Sequence, residues 1–220
     1  MTRPTLLTPP TLHDSQRWRG MRVGLFGGTF NPPHAGHIHA SDIAMKYLGL
    51  DAIWWLVTPG NPLKNKSNLP DLPTRIAHCR QLVTNPRVLV TDLERDLGTV
   101  RTYDTVKALQ SRFPATDFIW FSGTDIAYEF HRWYKWRELQ SLLPFAFIGR
   151  PHQSGQVRQN AFRQNQALHH HYPLRGMRPP LTKGTIYWIF AEPLLDISSS
   201  QLRDSSQGNI SQFAKNDEKG

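Results

Sequence analysis

A strand with apolar side chains on both of its faces must be covered on both sides, and this chain contains several. The run Ala52-Ile53-Trp54-Trp55-Leu56-Val57-Thr58 has no alternation of polar and apolar residues, the mark of a buried parallel strand rather than a half-solvated one. Comparable stretches occur at 22–26, 87–91, 117–121, Phe145–Ile148 and 185–191. Between them the spacing turns helical. Ile38, Ile43, Ala44, Tyr47 and Leu48 lie on one side of a helix over 37–48, and further helices are expected over 72–83 and 103–113. Strands alternating with helices predict an α/β fold: an open, doubly wound, mostly parallel Rossmann-like sheet with helices on both faces. Ligands on such sheets bind beyond the carboxyl ends of the strands, where chain order reverses. The loops after Phe26, Thr58, Phe121 and Ala191 are therefore expected to share one rim.

A chain of 220 residues suits one domain. Its organisation reads as a loosely held extension over 1–20, a body over 21–206 and a frayed tail over 207–220. The formal charge of +9 raises the question of a nucleic-acid partner, and its distribution argues against one. Arg150, Arg158, Arg163, Arg175, Arg178 and Lys183 fall in 150–183, a stretch without Asp or Glu, and Arg3, Arg17 and Arg19 fall in the extension. The excess belongs to a basic insertion and a tail, and the body is near neutral. The alternative, a basic RNA-binding module, would show steep salt dependence. No apolar run is long enough to cross a bilayer and the start lacks a signal-peptide core, so a cytoplasmic protein is expected. The single cysteine, Cys79, excludes an intramolecular disulfide framework and reads as a small hydrophobe. The triplet His169-His170-His171 has no partners at zinc spacing and reads as a solvated loop.

The chemistry concentrates on the rim. After the first strand come Gly27-Gly28-Thr29-Phe30-Asn31-Pro32-Pro33-His34-Ala35-Gly36-His37. Two glycines there permit a tight turn and close approach of backbone to a ligand. His34 and His37 bracket Gly36 at a helix start, where N–H groups and the helix dipole attract phosphate; helix capping is the plainer role for both. The segment lacks the Gly-Lys-Ser/Thr of a Walker loop and the dinucleotide glycine fingerprint. Ile197-Ser198-Ser199-Ser200-Gln201-Leu202-Arg203 follows the last strand and predicts a short helix from about Ser198. Gly123-Thr124-Asp125 follows the strand over 117–121, with Asp125 able to cap a helix. Trp133, in Phe130-His131-Arg132-Trp133-Tyr134-Lys135-Trp136, is open to a packing role as well as to ring stacking.

The first of these segments resembles the (His/Thr)-x-Gly-His nucleotidyltransferases, and more narrowly the bacterial nicotinate-nucleotide adenylyltransferases. The resemblance extends from about Arg22 to Arg203, interrupted in 150–183. It implies transfer of the adenylyl group of ATP to nicotinate mononucleotide, giving the deamido dinucleotide and pyrophosphate, with Mg2+ held mainly by ATP oxygens and no protein metal ligand. It places His34 and His37 on the ATP phosphates and Lys64, in Asn61-Pro62-Leu63-Lys64, nearby as a third catalytic residue. Gly27, Gly28, Thr29, Phe30, Gly36, Gly123, Asp125, Ile197, Ser198, Ser199, Ser200 and Arg203 would bind ATP. Thr102, Trp133 and the backbone at Tyr134 would hold the mononucleotide, with Trp133 stacked on its ring. The chain departs from the family pattern at Arg101, where Tyr is usual, at Ile126, where Asn or Ser is, and at Ser200, where Thr is. Relatives acting on nicotinamide mononucleotide or another phosphorylated acceptor are the alternative on the same scaffold.

Overall fold

In β2 (Ala52–Val57) all six residues are buried. Ala52, Trp54 and Leu56 enter one apolar layer, and Ile53, Trp55 and Val57 enter the other. The same two-way division runs through β1 (Arg22–Gly28), β4 (Asp117–Gly123), β5 (Phe145–Ile148) and β7 (Thr185–Ile189). This is what alternation along a strand produces when both faces are covered. A computed structural model of the chain describes residues 7–60, 69–149, 160–200 and 202–203. With β3 (Val88–Thr91) and β6 (His169–His171), the sheet has the order β3-β2-β1-β4-β5-β7-β6, and all its pairings are parallel.

The helices α1 (Ala35–Leu48) and α2 (Leu72–Leu82) cover one face through Ala40, Ile43, Ala44, Leu48, Ile76 and Cys79. Opposite lie α3 (Leu93–Asp96), α4 (Thr102–Arg112), α5 (Thr124–Glu129), α6 (Trp136–Leu142) and α7 (Ala161–Gln164), contributing Leu93, Val106, Leu109, Ala127, Leu139 and Phe162. The doubly wound architecture is therefore as the sequence predicts. Gly49 ends α1 at φ 59, donating its N–H to Met45 O at 3.1 Å; this left-handed cap favours glycine.

The chain leaves β1 toward one face and β4 toward the other, so order reverses between these neighbours. Their ladder ends at Leu25↔Trp120. Beyond it, Gly27 and Gly28 pair only with Leu56 and Val57 of β2, and Ser122 and Gly123 only with Phe147 and Ile148 of β5. The sheet thus splits at its switch point, leaving a cleft between two glycine-bearing strand ends. Both strands outlast the apolar runs that announced them, because glycine pairs in a ladder without contributing to a hydrophobic pattern.

Among the described residues, parts of the extension and of the insertion pack onto the body. Trp18 is fully buried, edge-on to Trp54 at 4.8 Å, and Gly20 donates its N–H to Ala115 O at 2.7 Å. Within the insertion, Asn160 caps α7 by accepting from Phe162 N and Arg163 N. Phe162 is fully buried against Phe130, Phe147 and Phe145. The histidine triplet read as a solvated loop is the edge strand β6, in register with Thr185, Ile186 and Tyr187. A strand so short and polar carries no recognisable period; β7 recruits it. Residues 150–159 and the tail 207–220 lie outside the described residues.

Candidate active site

The cleft opens into two cavities that meet at Gly27 and Gly28. The larger, about 350 Å3, lies toward the face of α3 and α4 and is walled by Thr58, Glu94, Val100, Arg101, Thr102, Trp120, Arg132, Trp133 and Tyr134. The smaller, about 240 Å3, lies over the start of α1. His34, Gly36, His37, Gly123, Asp125, Ile197, Ser198, Ser199, Ser200 and Arg203 line it, together with Thr29 and Phe30. The residues singled out for ATP thus gather in one cavity, and Thr102, Trp133 and Tyr134 in the other. Lys64 lies outside the described residues.

Glycine at position 27 answers a steric demand. A Cβ there would stand 2.5 Å from Cη2 and 2.6 Å from Cζ2 of Trp120. The expected tight turn through Gly27 and Gly28 is not formed: both are strand residues, and the left-handed backbone comes at Phe30, φ 47. The glycines serve close approach alone.

In the smaller cavity His34 occupies the N-cap of α1 and His37 its third position, their ring centroids 3.8 Å apart. The plainer capping role and a place on the cavity wall therefore coexist. The His37 Nδ1 accepts the His34 N–H at 3.1 Å. A nitrogen that accepts carries no proton, so the neutral ring is protonated at Nε2 and donates from that side. Phe30, 4.9 Å from His37, stacks on Trp55 at 4.8 Å and 10°. Trp55 Nε1 donates to Ser41 Oγ, which donates to His37 O, both at 2.9 Å. Trp55 and Ser41 thus anchor the first turn of α1 to β2; neither stood out in the sequence, because Trp55 looks like any core residue.

Residues 199–200 and 202–203 are helical, and Leu202 N donates to Ser198 O at 3.1 Å. Ser199 Oγ donates to Pro32 O at 2.9 Å, and Arg203 donates to Asn31 O and, at 3.1 Å, to Ser200 Oγ. The last motif therefore clasps the loop of the first, although 167 residues separate Ser199 from Pro32.

In the larger cavity Trp133 is half-buried, edge-on to Trp120 at 6.0 Å and tilted against Phe130 at 5.2 Å. Trp136 packs against the core beneath. Arg101, the N-cap residue of α4, lays its guanidinium 4.4 Å from the centre of the Tyr134 ring. The side chain that replaces Tyr thus reaches the cavity wall. Glu94, which no sequence pattern marked, is buried in the same wall. Cys79 is fully buried and its thiol is pushed up to about 12 by desolvation, which rules out a thiolate nucleophile near neutral pH. Among the described residues no three His, Cys, Asp or Glu side chains are grouped to hold a metal ion, and no helix is long and apolar enough to cross a membrane.

Comparison with known proteins agrees with this geometry. The profile of the cytidylyltransferase-like family matches residues 25–205. A Cereibacter sphaeroides protein named "probable nicotinate-nucleotide adenylyltransferase" is 41% identical over 186 residues, covering 83% of this chain and 97% of the relative. The chain belongs to the nicotinate-nucleotide adenylyltransferase family. An Agrobacterium fabrum member of the same name is 52% identical over 131 residues, 60% of this chain and 70% of its own. Among solved structures, Plasmodium falciparum nicotinic acid mononucleotide adenylyltransferase complexed with NaAD superimposes with a TM-score of 0.63 at 19% identity, over 84% of this chain and 83% of that one. At that identity it shows that the family fold is shared.

Proposed function

We propose that the protein transfers the adenylyl group of ATP to nicotinate mononucleotide, producing nicotinate adenine dinucleotide and pyrophosphate in NAD biosynthesis. The observation that carries this reading is the pair of cavities meeting at Gly27 and Gly28, one lined by phosphate-binding chemistry and the other by aromatic side chains. In this reading MgATP occupies the smaller cavity and the mononucleotide the larger. A phosphate oxygen of the mononucleotide forms a bond to the α-phosphorus of ATP. The bond from that phosphorus to the bridging oxygen breaks, and pyrophosphate departs with the electron pair. A phosphate nucleophile is already ionised near neutral pH, so no general base is required; alignment and charge neutralisation provide the catalysis.

His37 donates from Nε2 to the oxygens of the transferring phosphate, and His34 and the N-terminus of α1 act beside it. Ser198, Ser199, Ser200 and Arg203 hold the remaining phosphates, Asp125 and Gly123 face the adenosine ribose, and Lys64 is assigned to the phosphates by resemblance alone. Magnesium arrives with ATP, bound by phosphate oxygens and water. Trp133 stacks on the pyridine ring; N–H groups around Tyr134, the Thr102 hydroxyl and the Arg101 cation recognise the carboxylate. In this reading the catalytic unit is 21–206 and acts in the cytoplasm, on small ionic substrates that do not cross a bilayer unaided.

The test supplies ATP and magnesium with nicotinate or nicotinamide mononucleotide and follows pyrophosphate and dinucleotide. An amide would set a donor against a donor, a mismatch of about 1–3 kcal/mol when buried. We therefore expect kcat/KM to favour nicotinate by about one to two powers of ten. Equal values, or a preference for the amide, would overturn the acceptor assignment; absence of pyrophosphate with either would overturn adenylyl transfer.

A further inference from the structure

Glu94 is 5% exposed, on the short helix α3, and forms part of the wall of the larger cavity beside Thr58 and Gly28. Among the described residues only one of its carboxyl oxygens accepts a hydrogen bond. Oε1 accepts from Thr105 Oγ1 at 3.0 Å; Thr105 Oγ1 is bonded in turn to Thr99 Oγ1 at 2.9 Å, and Thr99 donates its N–H to the Glu94 carbonyl at 2.9 Å. Oε2 is buried and makes no hydrogen bond among the described residues. Burial pushes this carboxyl above the usual carboxylate range, opposed by the hydroxyls of Thr105 and, secondarily, of nearby Thr58, which donates to Gly60 O at 3.4 Å and does not meet hydrogen-bond geometry with Oε2. A buried acceptor left without a donor destabilises a fold, and the threonine network holds the group in that position. The arrangement is that of a site waiting for a donor.

A mononucleotide presents few donors. Its phosphate and its nicotinate carboxylate are anions, which a carboxyl oxygen in a low-dielectric wall repels. Its ribose hydroxyls donate. Building on the acceptor assignment above, we propose that Glu94 Oε2 accepts a hydrogen bond from a ribose hydroxyl of the acceptor mononucleotide, fixing the sugar so that its phosphate faces Gly27 and Gly28. Thr105 and Thr99 are positioning residues that aim the carboxyl.

Steady-state kinetics on the full chain with nicotinate mononucleotide and its 2′-deoxy and 3′-deoxy analogues tests this. The parent protein should lose about tenfold or more in kcat/KM with one of the deoxy acceptors, mainly through KM, the worth of one hydrogen bond to a buried charged or polar group. In Glu94→Ala the same ratio should fall to within about twofold of unity, with KM for ATP nearly unchanged. Glu94→Gln, which still presents an oxygen, should keep part of the discrimination. Where a variant turns over too slowly, calorimetric binding of the three acceptors gives the same ratio. Equal use of all three by the parent, or an undiminished ratio in either variant, overturns the proposal. Failure of the parent to adenylylate the unmodified acceptor overturns both this proposal and the reading it builds on.

Discussion

Adding one methyl group at position 27 probes the junction of the two cavities. In Gly27→Ala the new Cβ would lie 2.5 Å from Cη2 and 2.6 Å from Cζ2 of Trp120, against the roughly 3.5–4.0 Å of an ordinary carbon–carbon contact. The glycine's φ is not in the left-handed region, so the penalty is steric. The ring must retreat by about 1 Å, yet it is 3% exposed, on a strand paired with Leu25 on one side and Phe145 on the other. Overpacking of this kind costs about 1–3 kcal/mol, and at this chain length each kcal/mol moves Tm by about 2–4 °C. We expect Tm to fall by about 2–12 °C. Because Trp133 packs on Trp120, the displaced ring should also raise KM for nicotinate mononucleotide more than KM for ATP. Thermal unfolding followed by circular dichroism, with kinetics in both substrates, measures both effects. Trp120→Phe removes the two clashing atoms, so the double variant should be more stable than the sum of the single changes implies. A Gly27→Ala protein with parental Tm and acceptor KM, or a double variant showing simple additivity, would refute the reasoning.

His37→Ala should lower kcat by about 10²–10³, the loss typical of one donor aimed at developing charge, while ATP KM changes little; steady-state kinetics with an unchanged kcat would remove His37 from the chemistry. Arg203→Ala should raise ATP KM and leave acceptor KM nearly untouched, and equal losses in both would identify a structural role through Asn31 O instead. Glu94→Gln tests the strain in the larger cavity. The folded protein binds the Glu94 proton more tightly than the unfolded chain, so its stability falls as pH rises from the ordinary glutamate value through the raised one. The variant, freed of that charge, should melt higher than the parent at pH 7–8 by about 2–4 °C for each kcal/mol recovered. The gain should vanish below about pH 4, and a difference independent of pH would contradict this origin.

The sequence by itself determined the sheet and much of its rim. Unbroken apolar runs such as 52–58 admit few structures other than strands covered twice, and helical spacing in 37–48 supplies one of the covers. Gly27 to His37, Gly123 to Asp125, Trp133 and Ile197 to Arg203 each follow or closely trail a strand end, which assigns them to one edge from sequence order alone. Such features are legible because periodicity, turn residues and motif spacing are local properties of the chain. The short α3, α5, α6 and α7 and the histidine strand β6 are too brief to show a period, and they exist because the sheet and its neighbours bury one side of them. Only the tertiary structure decided that β1 and β4 part after Leu25 and Trp120, which turns a shared rim into two cavities touching at Gly27 and Gly28. It alone brought Arg203 onto Asn31 and Ser199 onto Pro32. It also buried Glu94 with one oxygen pinned by Thr105 and the other without a partner among the described residues. Burial and hydrogen-bond satisfaction depend on which distant segments the fold makes neighbours, and a glutamate in an otherwise unremarkable stretch of sequence carries no sign of that.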